Sequence, residues 1–324
     1  MIISKTPFRL SFAGGGTDLP AFYREEVGAV LSTAIKRYMY VTVHRRFEDD
    51  IRVSYSKTET VACVDDLAHE LVREAMKLTG TEGPLEVTTI ADCPSGTGLG
   101  SSSTLTVGLL HALHTAKGRT RNRAELAAEA CAIEIDTLGR PIGKQDQYAA
   151  AFGGLNYIEF DPSGSVEVSP VLCGEEVLRS LEEHSLLVFT GQRRSASDIL
   201  RKQSAGTASR MTVLRGMRDL AAEMRDLLVG GKCISRFGAL LDQAWSLKRS
   251  LGFGISNSEL DASYDAARNA GAWGGKLLGA GAGGFLYFLA PPVAHVGILE
   301  ALAHPKTMPV EFDRVGARIA FVSE

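Results

Sequence analysis

The pattern of apolar and polar residues predicts a chain in which β-strands and α-helices alternate irregularly. Residues 4–13 alternate between apolar and polar side chains, as a half-buried strand does, and lead into three glycines. Residues 65–78 carry apolar side chains three and four positions apart, which predicts a helix. By these criteria, the first half forms strands at residues 4–13, 38–45, 51–56, 85–90 and 155–160 and helices at residues 21–26, 65–78, 101–116 and 122–138.

Beyond Pro170 the chain changes to longer stretches of helical periodicity. The elements predicted here are strands at residues 186–190, 277–289 and 317–322 and helices at residues 195–229, 236–250, 258–269 and 293–302. Because strands and helices are interleaved without the regular spacing of βαβ units, the pattern predicts an α+β fold. The change near residue 170 predicts two domains, residues 1–170 and residues 171–324.

The charge and cysteine content narrow the class of protein. Lys+Arg 35 and Asp+Glu 38 give a net charge of −3, which argues against a nucleic-acid or membrane-surface partner. The five cysteines show no CxxC or ligand-like spacing, so we expect reduced thiols and a cytoplasmic location. Two uncharged runs, residues 93–116 and 277–299, are interrupted by glycines and prolines and are not expected to span a membrane.

Glycine is the residue type whose abundance departs from the ordinary. The chain has 34 glycines, about a tenth of its length against a usual value of about 7%. Many of them fall in three short stretches, residues 14–16, 96–100 and 271–284. Clustered glycine is typical of backbone that approaches a ligand or another segment closely.

The second glycine stretch has the features of a phosphate-binding loop. It reads Pro-Ser-Gly-Thr-Gly-Leu-Gly-Ser-Ser-Ser at residues 94–103, between a predicted strand and an apolar helix. Backbone N–H groups that curl into one concavity at a helix N-terminus favour a phosphate, and a serine there can reach Mg²⁺. A glycine turn with serine capping is the alternative. The loop lacks the Gly-Lys-Ser/Thr of a Walker A motif, and the strand-like residues 285–289 argue against a dinucleotide fingerprint at Gly279, Gly281 and Gly284.

Three motifs together resemble the GHMP kinase superfamily, which includes galactokinase, homoserine kinase and mevalonate kinase. Residues 94–103 are similar to its P-x-x-x-G-L-G-S-S motif, residues 7–18 to its N-terminal sugar-binding motif and residues 276–285 to its C-terminal glycine motif. Within the superfamily, Ala-Gly-Gly-Gly-Thr-Asp and Gly-Lys-Gln-Asp-Gln are most similar to D-glycero-D-manno-heptose 7-phosphate kinases. The resemblance implies an N-terminal ribosomal protein S5 domain 2-like domain with the ATP phosphate loop and a ferredoxin-like α+β C-terminal domain.

The resemblance also implies catalytic and cofactor residues. Asp146 is the candidate base and Arg9 the cation near the acceptor and the γ-phosphate; their alternatives are a helix cap and a surface arginine. Glu134 and Ser102 are the implied Mg²⁺ ligands, and Lys144 is expected to contact a phosphate or to lower the pKa of Asp146. The implied ATP-binding residues are Pro94, Gly96, Gly98, Leu99, Gly100, Ser101, Ser102 and Ser103.

The acceptor is expected to lie against the first glycine stretch. The implied substrate-binding residues are Gly15, Gly16, Thr17, Asp18, Gly281 and Gly283, with Arg193, Arg194, Ser195 and Ser197 as candidates for a distal phosphate. Galactokinases usually carry Glu-His where this chain has Gly15-Gly16, which favours a larger acceptor. The resemblance thus implies MgATP-dependent phosphorylation of O1 of heptose 7-phosphate, on the route to GDP-heptose, with a homodimer as a further possibility. A kinase of fucose or a hexose and a non-catalytic sugar- or nucleotide-binding regulator are the alternatives.

Overall fold

The computed structural model describes residues 1–192, 197–231, 233–252 and 254–323. Within these residues the larger of two sheets has eight strands, in the order β12-β1-β2-β5-β3-β4, with β6 paired to the first part of β2 and β7 to β6. The pairs are antiparallel except β3 with β5. These strands are β1 (Ile2–Ala13), β2 (Gly28–Arg45), β3 (Ile51–Ser54), β4 (Thr58–Val61), β5 (Leu85–Ala91), β6 (Leu155–Phe160), β7 (Val166–Pro170) and β12 (Arg318–Val322).

The smaller sheet comes from the second half of the chain. Its antiparallel strands have the order β11-β8-β10-β9 and are β8 (Ser185–Phe189), β9 (Gly274–Leu277), β10 (Phe285–Leu289) and β11 (Thr307–Met308). The described α-helices are α1 (Pro20–Tyr23), α2 (Glu70–Thr79), α3 (Ser101–Ala116), α4 (Arg123–Cys131), α5 (Gln145–Phe152), α6 (Glu175–Glu183), α7 (Ser197–Ala205), α8 (Met211–Val229), α9 (Ile234–Ser250), α10 (Ser258–Asn269) and α11 (His295–Ala301). Among the described residues, no helix has both the length and the apolar character needed to cross a membrane.

Strand β1 has one face in the apolar core and the other face on a cavity. Phe8, Leu10 and Phe12 are fully buried in the main apolar core. Because successive side chains of a strand point to opposite faces, Arg9 and Ser11 lie on the other face, where both line a cavity. The strand therefore carries Arg9 in a fixed position next to the first glycine stretch.

The predicted single helix at residues 122–138 consists of two parts. Asn122 caps α4 through a capping box with Glu125, and α4 then passes into a π-helical stretch, Ala132–Thr137. Wider turns of this kind occur mostly as short interruptions of α-helices and frequently at functional sites. The stretch contains Glu134, whose side chain is completely buried.

Residues from both sides of the predicted domain boundary share one core. The last described strand, β12, pairs with β1, so that Ile2 faces Val322. The main core also combines strand residues such as Phe12 with Phe237 of α9, whose rings meet edge to face at 5.2 Å. The boundary at residue 170 stays a prediction, whereas the mixed helix and sheet content agrees with the α+β class.

Candidate active site

A cavity of about 510 Å³ lies between the end of β1, the N-terminus of α3, α5 and the segment between β9 and β10. Many residues singled out in the sequence line this cavity together. They are Arg9, Gly15, Gly16, Asp18, Gly96, Gly98, Gly100, Ser101, Ser102, Ser103, Asp146, Gly281 and Gly283. The three glycine stretches, which are far apart in the sequence, therefore meet at one place in the fold.

The loop at residues 94–100 folds as the glycine pattern predicts. Gly96, Gly98 and Gly100 have φ values of +73°, +81° and +78°, a left-handed conformation that favours glycine. Gly100 is the N-cap residue of α3, so the unpaired N–H groups and the positive end of the helix dipole face the cavity. Gly98 also lies against the segment between β9 and β10, because a Cβ atom here would come within 2.3 Å of the Leu278 carbonyl oxygen.

Arg9 connects this loop to Asp146. Its Nε and Nη2 atoms donate to the two carboxylate oxygens of Asp146 at 2.7 and 2.9 Å, and Nη1 donates to the Gly98 carbonyl at 2.5 Å. The Arg9 side chain is only 4% exposed, compared with 23% for Asp146. A bidentate pair of this kind fixes the orientation of the carboxylate. Asp146 is thus held at the cavity surface with a cation beside it.

Glu134 is the centre of a buried hydrogen-bond network. Its carboxylate accepts from the hydroxyls of Ser102 and Ser103 and from Nε2 of Gln147, the last two at 2.6 Å. Arg140 donates to Ser102 Oγ at 2.6 Å and lies 3.4 Å from the Glu134 carboxylate. Burial raises the pKa of Glu134, and the hydroxyl donors and Arg140 oppose that shift. The two predicted Mg²⁺ ligands, Ser102 and Glu134, therefore lie together near the start of α3, next to the guanidinium of Arg140.

The first glycine stretch presents Asp18 but not Thr17 to the cavity. Asp18 is buried and accepts from the Gly16 N–H at 2.8 Å and from Gln145 Nε2 at 3.1 Å. Burial raises the pKa of Asp18, and the nearby Asp146 carboxylate adds to the increase. The Thr17 hydroxyl instead lies 2.8 Å from the Gly14 carbonyl and is completely buried, so it holds the loop in shape.

Lys144 is the predicted catalytic residue that the fold does not bring to Asp146. Its amine donates to the Gly164 carbonyl at 2.6 Å and lies 4.9 Å from the ring centre of Tyr23. It lines a separate cavity of about 310 Å³ on the other side of the segment that precedes α5. Lys144 therefore lines a different cavity from Asp146.

Other predicted residues support the site from outside or lie beyond the described residues. Pro94 and Leu99 are absent from the cavity lining, and their carbonyls accept from the Thr97 hydroxyl and the Arg9 N–H. The predicted phosphate-binding residues outside the described part are Arg193, Arg194, Ser195 and the side chain of Ser197. Leu200 and Gln203 of α7, which follow those residues in the sequence, line the cavity.

Two lysines of the second half complete the cavity wall. Lys248, in the last turn of α9, donates to the Gly279 carbonyl, and Lys276 of β9 donates to the Phe12 carbonyl at 2.9 Å. Burial lowers the pKa of Lys248 to about 8, with Arg9 contributing and the Asp18 and Asp146 carboxylates opposing the decrease. Burial also lowers the pKa of Lys276, and the neighbouring Lys248 and Arg9 add to that decrease.

Comparison with known proteins agrees with this arrangement in both halves of the chain. The family models for the GHMP kinases N terminal domain and the GHMP kinases C terminal region match residues 63–154 and residues 220–304. The D-glycero-alpha-D-manno-heptose 7-phosphate kinase of Campylobacter jejuni is 32% identical over 317 residues, covering 93% of both chains. The chain belongs to the GHMP kinase family.

This GHMP kinase is also similar to a solved structure and to part of a larger bifunctional protein. The crystal structure of a D-glycero-D-manno-heptose 1-phosphate kinase from Bacteroides thetaiotaomicron superposes over all of both chains with a TM-score of 0.83 and 26% identity. The bifunctional fucokinase/GDP-fucose pyrophosphorylase of Arabidopsis thaliana is 26% identical over 88% of this chain, which spans 29% of that protein. The predicted family and fold are confirmed, and so is the prediction of an ATP-dependent sugar kinase.

Sequence reasoning did not identify several residues of this GHMP kinase site. Arg140 and Gln147 bond to the predicted metal ligands, and Lys248 and Lys276 line the cavity. Lys276 lies within the third glycine stretch, at the start of the motif at residues 276–285, and Arg140 lies between Glu134 and Asp146, so proximity to a motif was an available signal. Lys248 had no such signal, because a lysine in the last turn of a helix ordinarily offsets the helix dipole at the surface.

The contact between Gly98 and the Leu278 carbonyl gives the first testable prediction. Gly98→Ala should lower stability by about 1–2 kcal/mol for the left-handed backbone and by about 1–3 kcal/mol more for overpacking. It should also weaken ATP binding, because the loop must shift. Gly118→Ala is the matched control, since Gly118 has φ +67° with nothing within 4 Å of the added Cβ. Equal losses in thermal unfolding and equal ATP affinities for the two variants would contradict the prediction.

Proposed function

We propose that this GHMP kinase transfers the γ-phosphoryl group of ATP to O1 of D-glycero-D-manno-heptose 7-phosphate and forms the 1,7-bisphosphate. The observation that carries the proposal is the Arg9–Asp146 pair, which joins a base candidate directly to the phosphate loop inside one cavity. The names of two similar proteins, a heptose 7-phosphate kinase and a heptose 1-phosphate kinase, support a phosphorylated heptose as the acceptor.

The proposed reaction needs little covalent work from the protein. Asp146 orients the O1 hydroxyl of the acceptor and receives its proton on a carboxylate oxygen while the bond from O1 to phosphorus forms. The bond from phosphorus to the ADP oxygen breaks at the same time. Arg9, already bonded to Asp146 and to the loop, stabilises negative charge on the transferring group. The N–H groups at the start of α3 hold the phosphates of ATP.

The residues at the start of α3 fit a magnesium ion. Ser102 and Glu134 offer the hard oxygen ligands that Mg²⁺ prefers, and their side chains are in hydrogen-bond contact. Arg140 bonds to the same oxygens and would have to give way to the ion. The described residues contain no group of three or more His, Cys, Asp or Glu side chains that could hold a metal. Phosphate oxygens and water are therefore needed as the remaining ligands. When bound, Mg²⁺ would neutralise charge on the phosphates.

The second candidate function is phosphorylation of an unphosphorylated sugar such as fucose. The similarity to a bifunctional fucokinase supports it. The charge of the cavity argues against this function. Lys248 and Lys276 line the cavity together with Arg9, and Asp146 already neutralises Arg9. With a neutral sugar, only the phosphates of ATP could supply an anionic partner for those two lysines.

A substrate panel tests the proposal. ADP release should be seen with heptose 7-phosphate, whereas fucose, galactose and mannose should react at least about a hundredfold more slowly in kcat/KM. The reason is that buried polar groups left unpaired by the wrong substrate strongly reduce transition-state binding. Phosphorus NMR of the product should show two phosphate signals, one of them from an anomeric phosphate. Faster reaction with an unphosphorylated sugar would contradict the proposed acceptor.

A cytoplasmic location and the route to GDP-heptose belong to the same proposal. The five cysteines are free thiols, as is usual where the environment is reducing. A homodimer stays a prediction, which sedimentation analysis of the purified protein would test.

A further inference from the structure

Lys248 and Lys276 are buried lysines that have no role in the proposed reaction. Their side chains are only 6% and 4% exposed, yet both line the cavity. Each amine has one hydrogen-bond acceptor within the described residues, a backbone carbonyl, although an ammonium group has three donors. Neither forms an ion pair with a carboxylate of a described residue. Two donors on each lysine are thus available to a ligand in the cavity.

The neighbouring charges do not neutralise these lysines. Arg9 and the two carboxylates of Asp18 and Asp146 are the charged groups that act on Lys248 besides Lys276. Asp146 is already occupied by the bidentate contact with Arg9, and Asp18 accepts from the Gly16 N–H and from Gln145. A buried cation is costly unless an anion accompanies it, so the missing negative charge is expected to arrive with the ligand.

We propose that Lys248 and Lys276 form a phosphate-binding subsite in the cavity, distinct from the loop at residues 94–103. The phosphate comes either from the acceptor sugar phosphate or from the transferring γ-phosphoryl group. Lys276 belongs to β9 and reaches the backbone of β1, while Lys248 bonds to the segment that touches Gly98. Both lysines of the subsite therefore come from the second half of the chain, and they line the same cavity as the base candidate Asp146. It rests on the proposed function only for the identity of the sugar.

The test compares three variants of the full chain. Lys248→Met and Lys276→Met keep an unbranched side chain only one atom shorter and remove the amine, so both proteins should fold. Lys117→Met is the matched control, because Lys117 also donates to a backbone carbonyl, that of Gly80, but lies at the surface. Thermal unfolding and circular dichroism of each variant would establish that it is folded before binding is measured.

Binding is measured by calorimetry with three ligands used one at a time. Inorganic phosphate probes the subsite alone, heptose 7-phosphate probes the acceptor, and a non-hydrolysable ATP analogue with Mg²⁺ probes the nucleotide. Loss of one charged hydrogen-bond donor should weaken phosphate binding by at least about tenfold. A matching loss for heptose 7-phosphate assigns the subsite to the acceptor, and a matching loss for the ATP analogue or for kcat assigns it to the transferring group. Folded variants that bind all three ligands and turn over like the Lys117→Met control would overturn the proposal.

Proton uptake gives a readout that a purely structural role would not produce. Because the pKa of Lys248 is about 8 in the free protein, much of this amine is neutral at pH 8.5. An anion favours the charged form, so phosphate binding should take up more protons at pH 8.5 than at pH 6.5, where Lys248 is already charged. Calorimetry in two buffers of different ionisation enthalpy measures this uptake. The uptake at pH 8.5 should be smaller in Lys248→Met than in the natural protein and unchanged in Lys117→Met.

The inorganic phosphate measurement also separates this inference from the proposed function. If the enzyme prefers an unphosphorylated hexose but loses phosphate affinity in Lys248→Met, the acceptor proposal fails and the subsite stands. If it uses heptose 7-phosphate while both lysine variants behave like the control, the subsite fails and the acceptor proposal stands.

Discussion

Asp146→Asn should lower kcat by about 10²–10⁴-fold, the usual contribution of a positioned general base, while ATP still binds. The asparagine keeps the size of the side chain and one oxygen acceptor for Arg9, but it cannot take the proton of the acceptor hydroxyl. ATP affinity should change little because the carboxylate contacts the loop only through Arg9. Steady-state kinetics together with calorimetric ATP binding would measure both effects.

Asp49→Asn serves as the control for this variant. Asp49 is an exposed carboxylate at the turn before β3, and its removal changes net charge by the same amount as the Asp146 substitution. Its kinetics should match the natural sequence. If Asp146→Asn retained more than about a tenth of the natural kcat, the proton would have to leave by another route, and Asp146 would be only a positioning residue for Arg9.

Arg9→Met should have a still larger effect on turnover, about 10³–10⁵-fold in kcat, as for arginines that stabilise a transferring phosphoryl group. It should also reduce stability by up to about 3 kcal/mol, because Asp146 is left partly buried without its cation. The Gly98 carbonyl loses a donor as well, which should loosen the phosphate loop.

A double variant separates the catalytic effect of Arg9 from its effect on stability. In Arg9→Met with Asp146→Asn, neither charge remains, so stability should recover relative to Arg9→Met alone while activity stays lost. Arg52→Met is the control, since Arg52 is an exposed arginine on strand β3. If stability did not recover in the double variant, the unpaired charge of Asp146 would not be the cause of the stability loss in Arg9→Met.

For two helices, the first and last residues agree with those predicted from the sequence. Helices α3 and α10 begin and end at the predicted residues. Helix α3 follows the glycine loop and is a largely buried apolar run, and α10 follows the N-cap Asn257. Strand β2 begins at Gly28, well before the predicted residue 38, and its first eight residues are all buried. With both faces buried there is no alternation of apolar and polar residues for periodicity to detect.

Some residues of the candidate site can be predicted from their neighbours in the sequence, whereas others depend on contacts between distant parts of the chain. Arg9, Ser102, Glu134 and Asp146 were identified because each belongs to a motif or has a fixed spacing to one. Lys248 could not be identified, since its burial depends on the packing of α9 against β9 and on a carbonyl 31 residues further along the chain. Lys144 illustrates the opposite case: its position next to a motif in the sequence does not decide which side of the backbone its side chain takes.

The pairing of β12 with β1 has a consequence for how this protein reaches its native state. Nearly the whole chain separates Ile2 from Val322, so the loop that this pairing closes is among the longest in the molecule. Contacts between such distant residues form slowly, because the entropy of closing the loop is lost before the contact is gained. Until then, β1 has a free edge of backbone N–H and C=O groups that can pair with another chain. We expect this edge to be the place where aggregation begins during refolding, and dilution to protect against it.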